Sequence, residues 1–176
     1  SLVIERNSIV VDGRSYTIQS WRERRGIDLS GRSGVTIKNM KIRAFSHGIY
    51  LHDSSNTIIQ ENSIENSDIG IWLRGSSKNT LAGNSITNND IGIWLFSSSK
   101  NTLTSNNIAS NHHGIWLLWS PDNLLYGNTV KANTVTGILL HGSLNNTFIE
   151  NRIAENHVGI ELRYCSCLLY TSPSPR

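Results

Sequence analysis

Three residues that can exchange protons recur at intervals of 22. Asp68, Asp90 and His112 each stand two positions before a glycine in a repeated segment. Two carboxylates held side by side can share a proton, so that one serves as a general acid, and a neighbouring imidazole can pair with the other. These three residues are therefore candidate catalytic groups for polysaccharide cleavage, which uses paired carboxyl groups. The alternative is structural, because polar residues also stack at the corners of repeat proteins.

Aromatic residues recur at the same interval, two positions after successive glycines: Tyr50, Trp72, Trp94 and Trp116. Arg74 and Phe96 lie two positions further on, and Trp119 lies at the edge of the group. All seven are candidate ligand-binding residues, because a sugar can place its apolar C–H face against an aromatic ring. The alternative is a structural ladder whose rings stack on one another. Trp116 is then the best candidate for an open ring face, because the next rung is Leu139.

These residues belong to an internal repeat with the signature Gly-Ile-x-Leu. Its glycines are separated by 22 residues, with one interval of 23, and are Gly26, Gly48, Gly70, Gly92, Gly114, Gly137 and Gly159. Each unit also carries one apolar residue near six positions before its glycine and another near eleven before. Such a fixed period is the signature of a solenoid.

The local pattern favours strands over helices. A helix needs apolar residues at a spacing of 3.6 over ten or more residues, whereas here they occur as isolated pairs flanked by Asn, Ser and Gly. A lone coil has too few inward residues to fold, so its strands must pair in parallel with those of the next coil. We predict an all-β fold, a right-handed parallel β-helix of about seven coils of 22 residues with three short strands per coil.

Asparagines also form columns at this period. The longest is Asn62, Asn84, Asn106, Asn128 and Asn151, and shorter ones begin at Asn79 and Asn89. An Asn amide tolerates left-handed backbone at a corner and can bond both its own turn and the Asn of the next coil. We therefore assign these columns a structural role as corner ladders.

Charge is concentrated in the first quarter of the chain. Residues 1–43 contain nine Lys or Arg and four Asp or Glu, whereas the whole chain has a net charge of +3. A cluster at Arg22, Arg24 and Arg25 could meet an acidic polymer, but a solvated surface is the commoner reading of such a run. No apolar segment is long enough to span a bilayer.

One family resemblance covers roughly residues 4 to 163. The segment from Gly70, Gly-Ile-Trp-Leu-x-x-Ser-Ser-Lys-Asn-Thr-Leu-x-x-Asn-Ser-Ile-x-x-Asn, resembles NosD-type parallel β-helix repeats. The segment from Gly92 does so more loosely, and Ile9-Val-Val-Asp-Gly13 resembles the start of these and of pectin-lyase-like domains. Such repeats occur in carbohydrate-binding and sugar-hydrolase (CASH) domains, surface-layer proteins and a periplasmic copper-accessory protein. The motif is specific for fold and not for function.

The resemblance implies a periplasmic, cell-surface or secreted module. We expect a non-catalytic scaffold that binds a polysaccharide or a surface glycan, with a polysaccharide hydrolase, lyase or epimerase as the first alternative and a copper-accessory protein as the second. We expect no cofactor, nucleic-acid partner or metal site, because the six histidines occupy columns that do not converge. His112 and His113 should point to different sides.

Residues 1–164 should form a single repeat domain that belongs to a longer solenoid and packs against its remaining coils. Residues 165–176 share nothing with the repeat and resemble translated library-adapter sequence, so we expect them to be disordered or not native. Cys165 and Cys167 are too close for an unstrained disulfide.

Overall fold

The computed structural model describes residues 1–21 and 24–165, together with the backbone of the strand Leu169–Thr171. The chain winds into a parallel β-solenoid whose coils each place one short strand in each of three sheets. Among these residues there is no helix, and therefore none long and apolar enough to cross a membrane. The predicted fold class is confirmed.

Sheet 1 carries the longest strands, and its order along the solenoid axis is Leu2–Val3, Arg25–Asp28, His47–His52, Ile69–Arg74, Ile91–Phe96, His113–Leu118, Thr136–His141 and Val158–Arg163. Sheet 2 is formed by Val10–Asp12, Thr36–Lys38, Ile58–Gln60, Thr80–Ala82, Thr102–Thr104, Leu124–Tyr126, Thr147–Ile149 and Leu169–Thr171. Sheet 3 is formed by Thr17–Gln19, Lys41–Arg43, Ser63–Glu65, Ser85–Thr87, Asn107–Ala109, Thr129–Lys131 and Arg152–Ala154.

Equivalent residues of successive coils pair directly, as Trp72 does with Tyr50 on one side and Trp94 on the other. The single coil of 23 residues keeps this register. Its extra residue lies between Lys131 and Thr136, in the turn from sheet 3 to sheet 1. The strands on both sides of that turn remain in step, so the insertion does not disturb the columns.

The core is a stack of aliphatic side chains in which each coil repeats the previous one. Ile71, Leu73, Leu81 and Ile86 of one coil are all fully buried, as are their counterparts in the coils around them. Burying each such side chain contributes about 1.5–3 kcal/mol. The stabilisation is therefore spread evenly along the axis.

Three columns of buried asparagines join the coils at their corners. Asn106, at 1% exposure, is typical. Its Nδ2 donates to the Leu81 carbonyl and to Asn128 Oδ1, at 2.9 Å each, and its Oδ1 accepts from the backbone N and the Nδ2 of Asn84. Each amide thus satisfies backbone groups that the corner removes from the sheets.

The asparagines themselves do not adopt the left-handed backbone that we expected of them. That conformation belongs to the residue immediately before each one, as in Lys78, Ser105 and Asn88, whose φ values are +59°, +54° and +57°. The preceding residue bends the chain, and the bend turns the Asn side chain inward toward the backbone of the neighbouring coils.

The repeated glycine is required by the close approach of coils. A Cβ on Gly92 would lie 2.6 Å from the carbonyl oxygen of Gly114 and 2.9 Å from Ile108 Cγ2. No other residue fits without shifting backbone atoms. Gly159, in the last complete coil, has only Ile153 Cγ2 nearby, at 3.7 Å.

Part of the tail that we expected to lie outside the repeat pairs with it. Leu169–Thr171 runs parallel to Thr147–Ile149 and extends sheet 2 by one strand. Residues 166–168 and 172–176, which include Cys167, lie outside the described residues, as does Arg22 of the predicted basic cluster.

We predict that Asn106→Ala lowers the free energy of unfolding by roughly 2–5 kcal/mol, because it leaves several buried donors and acceptors without partners. Urea denaturation would measure the change. Thr102→Ala is the control, because this residue of the same coil faces outward, and its effect should stay within about 0.5 kcal/mol. Equal effects of the two substitutions would contradict a supporting role for the ladder.

We also predict that Gly92→Ala destabilises the protein by about 1–3 kcal/mol, through overpacking against the next coil. Gly159→Ala makes the same chemical change where the added methyl meets only ordinary contact, so its effect should be small. Thermal unfolding of the two variants would compare them directly. If both lost stability equally, close coil approach would not explain the repeated glycine.

Candidate functional site

The outer face of sheet 1 is built from three columns. Gly92 and Ile93 both face the core, because a Cβ on Gly92 would meet Ile108 and because Ile93 is fully buried. Two consecutive inward residues interrupt the alternation of inward and outward side chains along the strand. The residue before each glycine therefore also faces outward. The first column is Arg25, His47, Ile69, Ile91, His113, Thr136 and Val158, the second is Asp28, Tyr50, Trp72, Trp94, Trp116, Leu139 and Glu161, and the third is His52, Arg74, Phe96, Leu118, His141 and Arg163.

Strict alternation from Ile-x-Leu would turn the first column inward, and sequence reasoning therefore missed it. The signal that could have revealed it is the presence of His47 and His113 at a position where other coils have isoleucine. An imidazole buried among aliphatic side chains without a hydrogen-bond partner is unfavourable, whereas an imidazole on the outer face of a sheet is not.

The tryptophans of the second column stack on one another. The rings of Trp72 and Trp94 are 5.0 Å apart and 7° from parallel, and those of Trp94 and Trp116 are 5.4 Å apart and 19° from parallel. Both faces of the Trp94 ring are therefore covered by its neighbours. The ladder presents ring edges, not ring faces, to the surroundings.

Tyr50, which we predicted to bind ligand, is not accessible. Its side chain is 2% exposed, and the Arg25 guanidinium lies 3.7 Å from its ring centroid. The Trp72 ring meets it at 60° with centroids 5.1 Å apart. A cation–π contact and an edge contact thus use the surface that a ligand would need.

Several polar atoms of the first two columns are buried. Six polar atoms there are buried without a hydrogen-bond partner in the described chain: Nδ1 of His47 and His113, Nε1 of Trp72, Trp94 and Trp116, and Oγ1 of Thr136. Leaving such a group unpaired costs about 1–3 kcal/mol. These atoms are therefore covered by the surrounding side chains in this structure.

Burial also affects the two histidines of the first column. It lowers the pKa of His47, which the nearby Arg25 guanidinium lowers further. Burial likewise lowers the pKa of His113, with a smaller contribution from His112. Nearby carboxylates oppose both shifts less strongly. Both imidazoles are therefore neutral near pH 7.

Asp68, Asp90 and His112 lie one coil apart in the turn that precedes each sheet 1 strand. The amides of Ile91 and His113 bond the carbonyls of Asp68 and Asp90, which keeps the three residues in register. Asp90 and His112 are exposed, and Asp68 is half-buried. The imidazole of His112 bonds Thr134 Oγ1 at 3.1 Å.

The third column and the turn after it form the more open rim of the face. Phe96 and Leu118 are half-buried and Arg74 is exposed. Trp119, one residue beyond the strand, is 53% exposed. Its ring lies next to His141, and sequence reasoning did not select His141 as a site residue.

The histidines offer at most a pair of ligands to a metal. Rings of His112 and His113 lie 5.0 Å apart at 89°, so the expectation that they point to different sides is wrong. Both residues face outward, one from the turn and one from the first column. No group of three His, Cys, Asp or Glu side chains able to hold a metal ion occurs in the described ranges.

A cleft near the first coils is lined by Ser1, Val3, Arg24, Arg25, Ser46 and His47. Arg25 is engaged there, because its Nη1 lies 2.6 Å from Asp28 Oδ2. Arg24 is exposed. Two members of the predicted basic cluster thus lie at this cleft, one of them already paired.

Comparison with solved structures supports this architecture. A double mutant of the periplasmic alginate epimerase AlgG is 30% identical over 77% of this chain and 34% of its own, with a TM-score of 0.75. The unsubstituted enzyme is 23% identical over 94% of this chain and 46% of its own, with a TM-score of 0.77. The A-module of the Azotobacter vinelandii mannuronan C-5 epimerase AlgE4 is 15% identical over 90% of this chain and 57% of its own, with a TM-score of 0.65.

The chain therefore spans between about a third and three-fifths of the length of these structures. No curated protein sequence matches it significantly. A family model described as periplasmic copper-binding protein (NosD) matches residues 3–168, which is nearly the whole chain. With its 22-residue coils and three parallel sheets, this chain belongs to the NosD family of parallel β-helix proteins.

Proposed function

We propose that this chain is a glycan-binding module that acts outside the cytoplasm and has no catalytic role of its own. The observation that carries the proposal is the apolar and aromatic stripe on the outer face of sheet 1, whose rim includes Phe96, Leu118 and Trp119. The core face of the same sheet is filled, so the stripe adds nothing to the interior. Apolar stripes of this kind on a protein surface mark interaction sites.

The relatives favour a polysaccharide as the ligand. AlgG, at 30% identity in the aligned segment, is named as an alginate epimerase, and alginate is a polysaccharide. AlgG and NosD are both described as periplasmic, which supports a location outside the cytoplasm. A rigid solenoid presents its outer residues at a constant spacing, and this suits a partner that is itself a repeating polymer.

An enzymatic role for Asp68, Asp90 and His112 is the weaker alternative. Acid–base catalysis on a sugar uses a pair of carboxyl groups on either side of the scissile bond, in a cleft that holds the sugar. Asp90 and His112 are exposed on a turn, and the imidazole already bonds Thr134. This arrangement fits a solvated solenoid corner better than a catalytic centre.

The copper alternative has less support from the residues of this chain. Copper and zinc sites in proteins commonly take three or four side-chain ligands directed at one point. The closest imidazoles, His112 and His113, supply two, and the second of these has its Nδ1 buried. We therefore derive no copper chemistry from the described residues.

We predict that the purified protein binds at least one polysaccharide on a broad glycan array, and that Leu118→Glu weakens this binding about tenfold or more. The substitution places a carboxylate in the apolar stripe, where contact with a sugar would strip it of water. Isothermal titration with the best array ligand would measure the affinity.

Thr104→Glu is the matched control, because it puts the same charge on an equally half-buried outward position of sheet 2. It should leave binding unchanged. Absence of any glycan ligand for the unmodified protein, or equal behaviour of the two variants, would overturn the proposed function.

A further inference from the structure

The turn after each sheet 1 strand from Arg25–Asp28 onward has left-handed backbone. Its residues are Gly31, Asp53, Gly75, Ser97, Trp119, Gly142 and Tyr164, with φ between +49° and +70°. Small or polar residues suit this conformation, whereas a bulky aromatic residue there is uncommon. Trp119 and Tyr164 are therefore exceptions that the solenoid corner alone does not explain.

Gly142 holds the Trp119 ring flat against the solenoid. A Cβ on this glycine would lie 2.3 Å from both Cε3 and Cζ3 of Trp119, so the ring rests directly on the backbone of the next coil. The residue is nevertheless 53% exposed. One face of the indole is supported by backbone, and the other is open to a ligand.

This geometry differs from that of the tryptophan ladder. Trp94 has a parallel ring on each side, whereas Trp119 has a parallel ring on neither. A sugar stacks by laying its C–H face on an open aromatic face. Trp119 meets this requirement, and the central rung of the ladder does not.

Two further rings extend the surface across successive coils. The His141 ring lies 5.2 Å from Trp119 at 77° and 5.2 Å from Tyr164 at 63°. Tyr164 is 84% exposed. The imidazole thus separates and supports two larger rings, and its edge and the Tyr164 hydroxyl can exchange hydrogen bonds with sugar hydroxyls.

The charge beside these rings is already paired. Arg163 donates to Glu161 Oε1 from Nε at 2.7 Å and from Nη2 at 2.6 Å. A guanidinium whose Nε and Nη2 both bond one carboxylate oxygen is a poorer receptor for a second carboxylate, because the second would compete with the first for these donors. This pairing favours an uncharged ligand over an acidic one.

We infer that Trp119, His141 and Tyr164, supported by Gly142, form a platform for a neutral hexose unit of a polysaccharide. This inference rests on the proposed function. It adds where on the surface the glycan binds and which class of sugar is bound. The platform lies at one end of the apolar stripe, so that a longer chain bound there would continue onto Leu118.

The test compares titrations of neutral glucan and mannan hexasaccharides with those of uronic acid oligomers of equal length. Trp119→Ala and Tyr164→Ala should each weaken binding of a neutral oligomer about tenfold or more, and Trp119→Phe should keep most of it. Trp21→Ala is the matched control, because this tryptophan is 89% exposed at the far end of the solenoid. Both altered rings are exposed, so the urea midpoint should not move.

The outcomes separate the two claims. Glycan binding that survives both alanine substitutions would overturn the platform and leave the proposed function standing. Tighter binding of uronic acid oligomers, weakened by added salt, would overturn the neutral sugar class. Failure of the unmodified protein to bind any oligomer or any array glycan would contradict both.

Discussion

Every feature of this molecule depends on the fixed register between coils, and the buried asparagines maintain it at the three corners. A parallel sheet alone would allow one coil to slip against the next by two residues, because its hydrogen bonds would be equivalent after the slip. An amide that must reach both the Oδ1 of the following coil and a carbonyl of the preceding coil allows no such shift. The repeated glycine adds a second constraint of the same kind, because a Cβ at Gly92 would lie 2.6 Å from the carbonyl oxygen of the next coil.

Once register is fixed, each sequence position becomes a column, and the chemistry of a column depends on how its members contact one another. Rings placed one strand spacing apart stack, and this is why the tryptophan ladder covers its own faces. The Trp119 ring escapes this stacking because the following coil has no side chain at Gly142, which lets the ring lie on backbone. The same repetition thus produces both a self-covering ladder and one accessible indole.

The sequence was sufficient to predict the fold because the signal is repeated seven times. The position of the 23-residue coil and the identity of the inward isoleucines also followed from the period. What could not be predicted depends on local departures from alternation. The shift at the repeated glycines Gly48 and Gly114 turned His47 and His113 outward, and the left-handed residues proved to be those before the asparagines. The orientation of the aromatic rings could not be predicted from the sequence either, because it depends on neighbouring residues that share no motif with Trp119 or Tyr50.

The asparagine ladders also give the solenoid a direction. In each of them the backbone N–H of one asparagine donates to the Oδ1 of the asparagine in the following coil, as Asn84 does to Asn106 and Asn106 to Asn128, and no step is reversed. One end of a stack of coils therefore presents donors and the other presents acceptors. Two such stacks match head to tail, whereas head-to-head contact brings like groups together. Polarity of this kind lets a growing solenoid distinguish its two ends without any specialised sequence.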